Sequence, residues 1–180
     1  PQHRERIYIV GFRKDLCIKK EDFSYPNQET VSKRWIDVRE EEPVPAKYYL
    51  STTYIETLKR HKARHEAKGN GFGYDIIPDE GIAHAIVVGG MGRECNLVID
   101  TRQKDLTPTT RIKGEVNKQG WRKMTPREWA RLQGYPDNFK IVVADASAYK
   151  QFGNSVAVPA IQATAEQLLK TLRNHGYIRE

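Results

Sequence analysis

Seven glycines crowd into the stretch from 69 to 92 (Gly69, Gly71, Gly73, Gly81, Gly89, Gly90 and Gly92). No helix of ordinary length passes through such a run, because each interior glycine costs about 1 kcal/mol relative to alanine. Helix is therefore confined to the flanks, and the middle must be built from turns and short extended pieces. Ala85-Ile86-Val87-Val88 and Leu97-Val98-Ile99 supply β-type runs there. From Gly69 to about Thr110 the pattern predicts a small twisted sheet whose loops are presented on one side.

On the N-terminal flank, Ile7-Tyr8-Ile9-Val10-Gly11-Phe12 reads as a buried strand. Arg39-Glu40-Glu41-Glu42-Pro43-Val44-Pro45 is a turn or linker, since two prolines this close exclude regular helix. Ser51 then caps a helix with Tyr54, Ile55 and Leu58 on one face and Gly69 at its end. Its last turns carry Lys59, Arg60, Lys62, Arg64 and Lys68. These suit the negative end of the helix dipole as a solvated face, and suit phosphate equally well. On the C-terminal flank, Thr125-Pro126-Arg127-Glu128 is a capping box with proline in the first turn. Trp129, Ala130 and Leu132 give that helix apolar surface, and Gly134 with Pro136 stops it. A last helix starts at about Pro159, with Ile161, Ala165, Leu168, Leu169 and Leu172 as its packing stripe.

A chain of 180 residues, 38% apolar, suits one domain, or one small domain with an appendage. It has no apolar run of about 18 residues to cross a membrane, and no apolar segment behind Pro1 to serve as a signal peptide. The first residue is not Met, which points to a native chain that begins earlier. Two cysteines are too few for a disulfide framework and fit a reducing cytosol. The net charge of +7 favours a polyanionic partner, DNA first among them.

Isolated constellations add little. His61 and His65 have the spacing of a zinc pair, but Lys62 stands where zinc proteases have glutamate, and no further ligand is near. No metal is expected. Gly69-Asn70-Gly71-Phe72-Gly73 follows a helix rather than a strand, so it is a turn with Phe72 as aromatic anchor, not a phosphate loop. Cys17 and Cys95 each lie near cations that would lower a thiol pKa, yet neither has a catalytic context, and packing is their default role. By themselves the residues describe a basic α/β module without a complete catalytic set.

Three longer segments go further. Pro1-Gln2-His3-Arg4-Glu5-Arg6-Ile7-Tyr8-Ile9-Val10-Gly11 resembles the eighth signature segment of cytosine-5 DNA methyltransferases. Arg122 to Asp137 (RKMTPREWARLQGYPD) resembles the ninth, and Tyr149-Lys150-Gln151-Phe152-Gly153-Asn154-Ser155-Val156-Ala157-Val158-Pro159 the tenth. They stand in the family's order. The roughly 110 residues between the first two occupy the place of its variable target-recognition region.

The resemblance implies a target-recognition domain with a small twisted sheet and helices, plus terminal segments that complete a Rossmann-like methyltransferase domain. Residues 1–45 would be the catalytic domain's strand portion and linker. Residues 46–149 would be the recognition domain, and residues 150–180 the return to the catalytic domain. The implied chemistry is transfer of a methyl group from S-adenosylmethionine to C5 of a cytosine flipped out of duplex DNA, since a stacked ring cannot be attacked. Arg6 is implied at the O2 edge of that base, where a permanently charged fork holds a carbonyl as negative charge grows. Arg4 is implied beside it, at the base site or target phosphate, and Gln2 as structural. Asn154 and Ser155 match the segment that faces the methyl donor, a role compatible with capping the last helix. Arg127 and Glu128 are implied as buried polar supports, with Trp129 and Leu132 packing beneath the recognition region. Gly89 and Gly90 belong to the base-reading element. Arg93 is the leading candidate for a guanine contact, with Arg102 and Arg111 as alternates and phosphate contact as the plainer role for all three.

The family's glycine-rich donor loop, Pro-Cys nucleophile and Glu-Asn-Val acid have no counterpart here, and Cys17 and Cys95 follow Leu16 and Glu94. The chain is thus expected to be inactive alone and to work with a catalytic partner carrying those parts. It would be either the small subunit of a split enzyme or a piece of a longer one, acting in the cytoplasm of a bacterium with a restriction–modification system. The alternative is a non-catalytic DNA-binding or regulatory module. The DNA sequence recognised is not legible.

Overall fold

The computed structural model describes residues 2–27, 32–89, 92–107 and 114–179. Among these, regular structure comprises helices α1 (Thr52–Glu66), α2 (Pro126–Leu132), α3 (Asp145–Asn154) and α4 (Val158–Asn174). It also includes short strands β1 (Gln2–His3), β2 (Ala83–His84), β3 (Leu97–Ile99) and β4 (Trp121–Lys123). The mixed class matches the expectation, but the sheet does not form as one unit. β1 runs parallel to β2, with Gln2 opposite Ala83, and β3 runs antiparallel to β4, with Val98 opposite Arg122. Each pair joins the glycine-rich stretch to a remote segment, so that stretch supplies one strand to each sheet.

Local signals held where they were chemically specific. The Ser51 side chain accepts from the Tyr54 amide to start α1, and Ile55 and Leu58 are buried beneath it. The capping box at Thr125 and Glu128 opens α2, and Gly134, at φ +83°, takes the left-handed turn that closes it. Ala85–Val88, by contrast, is loop rather than strand. Phe72 is no anchor: it is 69% exposed, with its ring centre 5.9 Å from that of His65 in an edge-to-face arrangement.

Two larger corrections concern apolar surface. Residues 7–12 form no strand, and Ile7 and Ile9 are 90% and 92% exposed. The α4 stripe is also open, with Ile161, Ala165 and Leu169 exposed and Leu168 and Leu172 half-buried. A strand needs a neighbouring ladder, which residues 7–12 lack among the described residues, and a stripe needs a covering surface, which α4 has only in part, toward Thr171 and Asp22.

The main core gathers Trp35, Ile86, Val98, Met124, Trp129 and Phe152 from both flanks. Beside it lies a buried ionic network. Arg122, fully buried, forks onto Glu128 at 2.7 and 2.8 Å and donates to Asp100 at 3.1 Å, while its guanidinium lies 5.6 Å from the Trp35 ring. Glu128 also accepts from the amides of Thr125 and Glu40. Arg127 does not join this network; it donates to the carbonyls of Pro136 and Phe139 near the surface.

Burial pushes the Asp100 carboxyl up, but hydrogen bonds from Arg102 and the charge of Arg122 outweigh it and hold the group well below the ordinary carboxylate range. A folded-state value below the unfolded one means stability present above about pH 4 and lost as pH falls further. In urea unfolding between about pH 5 and pH 3, the wild-type midpoint is expected to fall more steeply than that of Asp100→Asn. Parallel curves would exclude Asp100 as the source.

Candidate active site

β1 and the chain that follows it bring Gln2 and Arg4 against two other segments, the 85–89 loop after β2 and the 132–133 and 153–155 backbone beside α3 and α4. Gln2 and Arg4 share one face of the extended chain, because alternate residues point the same way. Gln2 donates to the Leu132 carbonyl at 3.1 Å and to Gln133 Oε1 at 2.9 Å, and accepts from the Ile86 amide at 3.2 Å. Arg4 donates to the carbonyls of Ile86 (2.6 Å), Gly153 (3.0 Å) and Ser155 (2.9 Å). Nη1 and Nη2 are thus engaged by backbone carbonyls, while the buried Nε has no partner among the described residues. Burial, with the charge of Arg6 second, pulls its pKa below the ordinary value.

Arg6 lies beyond this clamp. It is exposed, and Nη1 donates to the Glu5 carbonyl at 2.6 Å, leaving most of the guanidinium facing solvent. Asn154, the last residue of α3, is exposed as well. Ser155 Oγ lies 2.7 Å from the Tyr135 hydroxyl. Neither residue caps α4: its N-cap is Ala157, without a side-chain bond, so the compatible capping role is not taken. The Val158 amide donates to the Gln133 carbonyl at 2.7 Å, and Pro159 has no N–H, so the first turn of α4 offers few free donors.

On the other side of the 85–89 loop a cavity of about 230 Å³ opens against α3, lined in part by Val87, Gly89, Arg93, Tyr149 and Lys150. Arg93 is exposed, with its guanidinium 5.3 Å from the centre of the Tyr149 ring. Tyr149 donates to the Met124 carbonyl, and burial drives its phenol far above the ordinary range, so it is a neutral floor. Gly89, at φ +85° in open space, allows the loop to turn there. Gly90 and Arg111 lie outside the described residues.

Arg102 is held by its own chain. It donates to both oxygens of Asp100 and to the carbonyls of Glu40 and Glu41, so its fork braces the linker against the end of β3. Burial together with Glu94 and Asp75 pushes the Cys95 thiol up, opposite to activation. The His61 and His65 rings lie 4.4 Å apart, and among the described residues no group of three His, Cys, Asp or Glu side chains is placed to hold a metal. No described helix is long and apolar enough to cross a membrane.

The model of the C-5 cytosine-specific DNA methylase family matches residues 1–170. The chain belongs to this family. Among curated proteins it is 68% identical over 174 residues to the type II methyltransferase M.HpaII of Haemophilus parainfluenzae, covering 97% of this chain and 48% of that protein. It is 40% identical to the type II methyltransferase M.SsoII of Shigella sonnei, covering 96% and 41%. The chain thus spans about half the length of the curated relatives it matches. Among solved structures, the S. pombe Dnmt2 methyltransferase superposes with a TM-score of 0.57 at 19% identity, covering 81% of this chain and 44% of that one, a likeness of fold.

Sequence reasoning missed Gln133, Lys150 and Arg122. Gln133 is fully buried and ties Gln2 to the carbonyls of Phe152 and Ser155. A glutamine just before a helix-stopping glycine carries no local sign of such partners. Arg122 opens the ninth segment, and its burial follows only from the packing of β4.

Proposed function

We propose that this chain is the recognition-bearing half of a DNA (cytosine-5-)-methyltransferase. It acts with a second half that supplies the donor loop, the Pro-Cys nucleophile and the acid, as a partner subunit or as another part of one polypeptide. The observation that carries this reading is the spatial convergence of the three signature segments: Gln2 and Arg4 of the first hold the helix end of the second and the turn of the third. The exposed Ile7 and Ile9 and the open part of the α4 stripe are what such a half would cover, extending the fold to a full Rossmann-like sheet.

On this reading Arg6 meets the O2 edge of a flipped cytosine and stabilises negative charge as it develops. Arg93 and Lys150 face the duplex beside Gly89, Arg93 as base or phosphate contact. S-adenosylmethionine supplies the methyl group when bound. The residues present fit its polar end in part: the exposed Asn154 carboxamide and the Ser155 hydroxyl are suited to hold it, whereas the start of α4 has little to add. A cytoplasmic restriction–modification system is the setting this implies.

The test is complementation. The portion of M.HpaII that this chain does not cover is mixed with it, and labelled methyl incorporation into duplex DNA is followed. No transfer is expected from either piece alone, and transfer is expected on mixing. Activity of this chain alone, or failure of the two to associate, would overturn the reading.

A further inference from the structure

Arg4 is unusual in what it binds. Its guanidinium is half-buried, forms no salt bridge among the described residues, and is balanced by carbonyl dipoles from two segments about 70 residues apart. A desolvated charge is expensive to hold on neutral acceptors alone, and three charge-assisted bonds offset that cost only while all three carbonyls stay together. Separation of the 85–89 loop from the 153–155 turn therefore leaves the cation undersolvated. The surrounding contacts tighten the same joint. Ile86 is held at both backbone groups, its amide by Gln2 and its carbonyl by Arg4. Gly153 has no room for a side chain: a Cβ there would sit 2.6 Å from Val88 Cγ2 and 3.2 Å from the Val88 amide nitrogen.

We propose that Arg4 is a positioning residue that couples the recognition loop to the donor-facing turn, so that binding of DNA and of the methyl donor strengthen each other. The assignment of loop to DNA and turn to donor rests on the proposed function. Ordering either segment orders the shared guanidinium, and the second ligand then meets a joint already set. By linkage the effect is reciprocal, and couplings of this kind are typically about 5- to 150-fold.

The experiment measures binding in the complemented enzyme. Affinity for S-adenosylhomocysteine, the spent donor, is determined with and without a duplex that the wild-type complex methylates. Wild type is expected to bind it at least about fivefold more tightly with DNA present. Arg4→Lys, whose single ammonium cannot fork across both segments, and Gly153→Ala, which wedges Val88 away, should each bring that ratio close to one. Millimolar guanidinium should restore the ratio in Arg4→Ala but not in Gly153→Ala, a rescue that general misfolding would not permit. A wild-type ratio near one, or unchanged ratios in the variants, would overturn the coupling. Failure of the wild-type mixture to methylate any duplex would count against the proposed function instead. In that event amide hydrogen exchange of this chain alone decides: Arg4→Ala should speed exchange at residues 86–89 and 153–157 together while leaving Thr125–Glu128 protected. Loosening of one segment only, or of neither, would sink the proposal.

Discussion

Arg6→Ala in the complemented enzyme is expected to lower turnover by about 10²–10³, the usual effect of removing one donor aimed at developing charge, while DNA affinity changes by only a few-fold. The asymmetry follows from the position of the side chain. Arg6 is exposed, and its hydrogen bond to the neighbouring Glu5 carbonyl ties down nothing remote. Its loss should shift stability by no more than about 0.5 kcal/mol, as for other surface substitutions. Since Arg6 is one of many cations in a chain of net charge +7, one fewer barely alters attraction to phosphate. Single-turnover methylation set against equilibrium DNA binding separates the two effects. Equal losses in both would make Arg6 a simple phosphate contact, and unchanged turnover would remove it from the active site.

The largest effect on stability is expected at Arg122. Replacing it with methionine preserves much of the volume but leaves Glu128 and Asp100 buried without their shared counter-ion. Breaking a buried pair from one side costs about 3–5 kcal/mol, which for a chain of this size lowers Tm by about 10 °C. The double variant Arg122→Met/Glu128→Gln removes both charges of the main pair, keeps a carboxamide oxygen to accept from the Thr125 or Glu40 amide, leaves Asp100 with Arg102, and should recover a substantial part of the loss. Thermal unfolding of the three proteins makes the comparison. If the double variant were as unstable as the single, shape rather than uncompensated charge would be the cause. A single variant within about 1 kcal/mol of wild type would show the network to be dispensable.

How much was legible varies with the range of the interaction. The capping box, the Ser51 cap and the Gly134 stop are written within a few neighbouring residues, and each appears in the structure as read. The strand expected at 7–12 and the packing stripe on α4 fail for one reason: hydrophobicity announces that a surface is to be buried, not what will bury it. The arginines show the same limit. Arg4, Arg6, Arg93 and Arg102 look alike as candidates, yet Arg4 is clamped to three carbonyls and Arg102 braces a linker. Arg6 and Arg93 remain exposed.

What the sequence determined by itself was therefore the family, through three ordered segments, and the local starts and stops of helices, whose hydrogen bonds close within a turn. Only the tertiary structure decided which charged side chains stay available for chemistry. A guanidinium's role depends on which acceptors come within about 3 Å of it, and for Arg4 and Arg122 those acceptors belong to segments that meet only when the chain has folded.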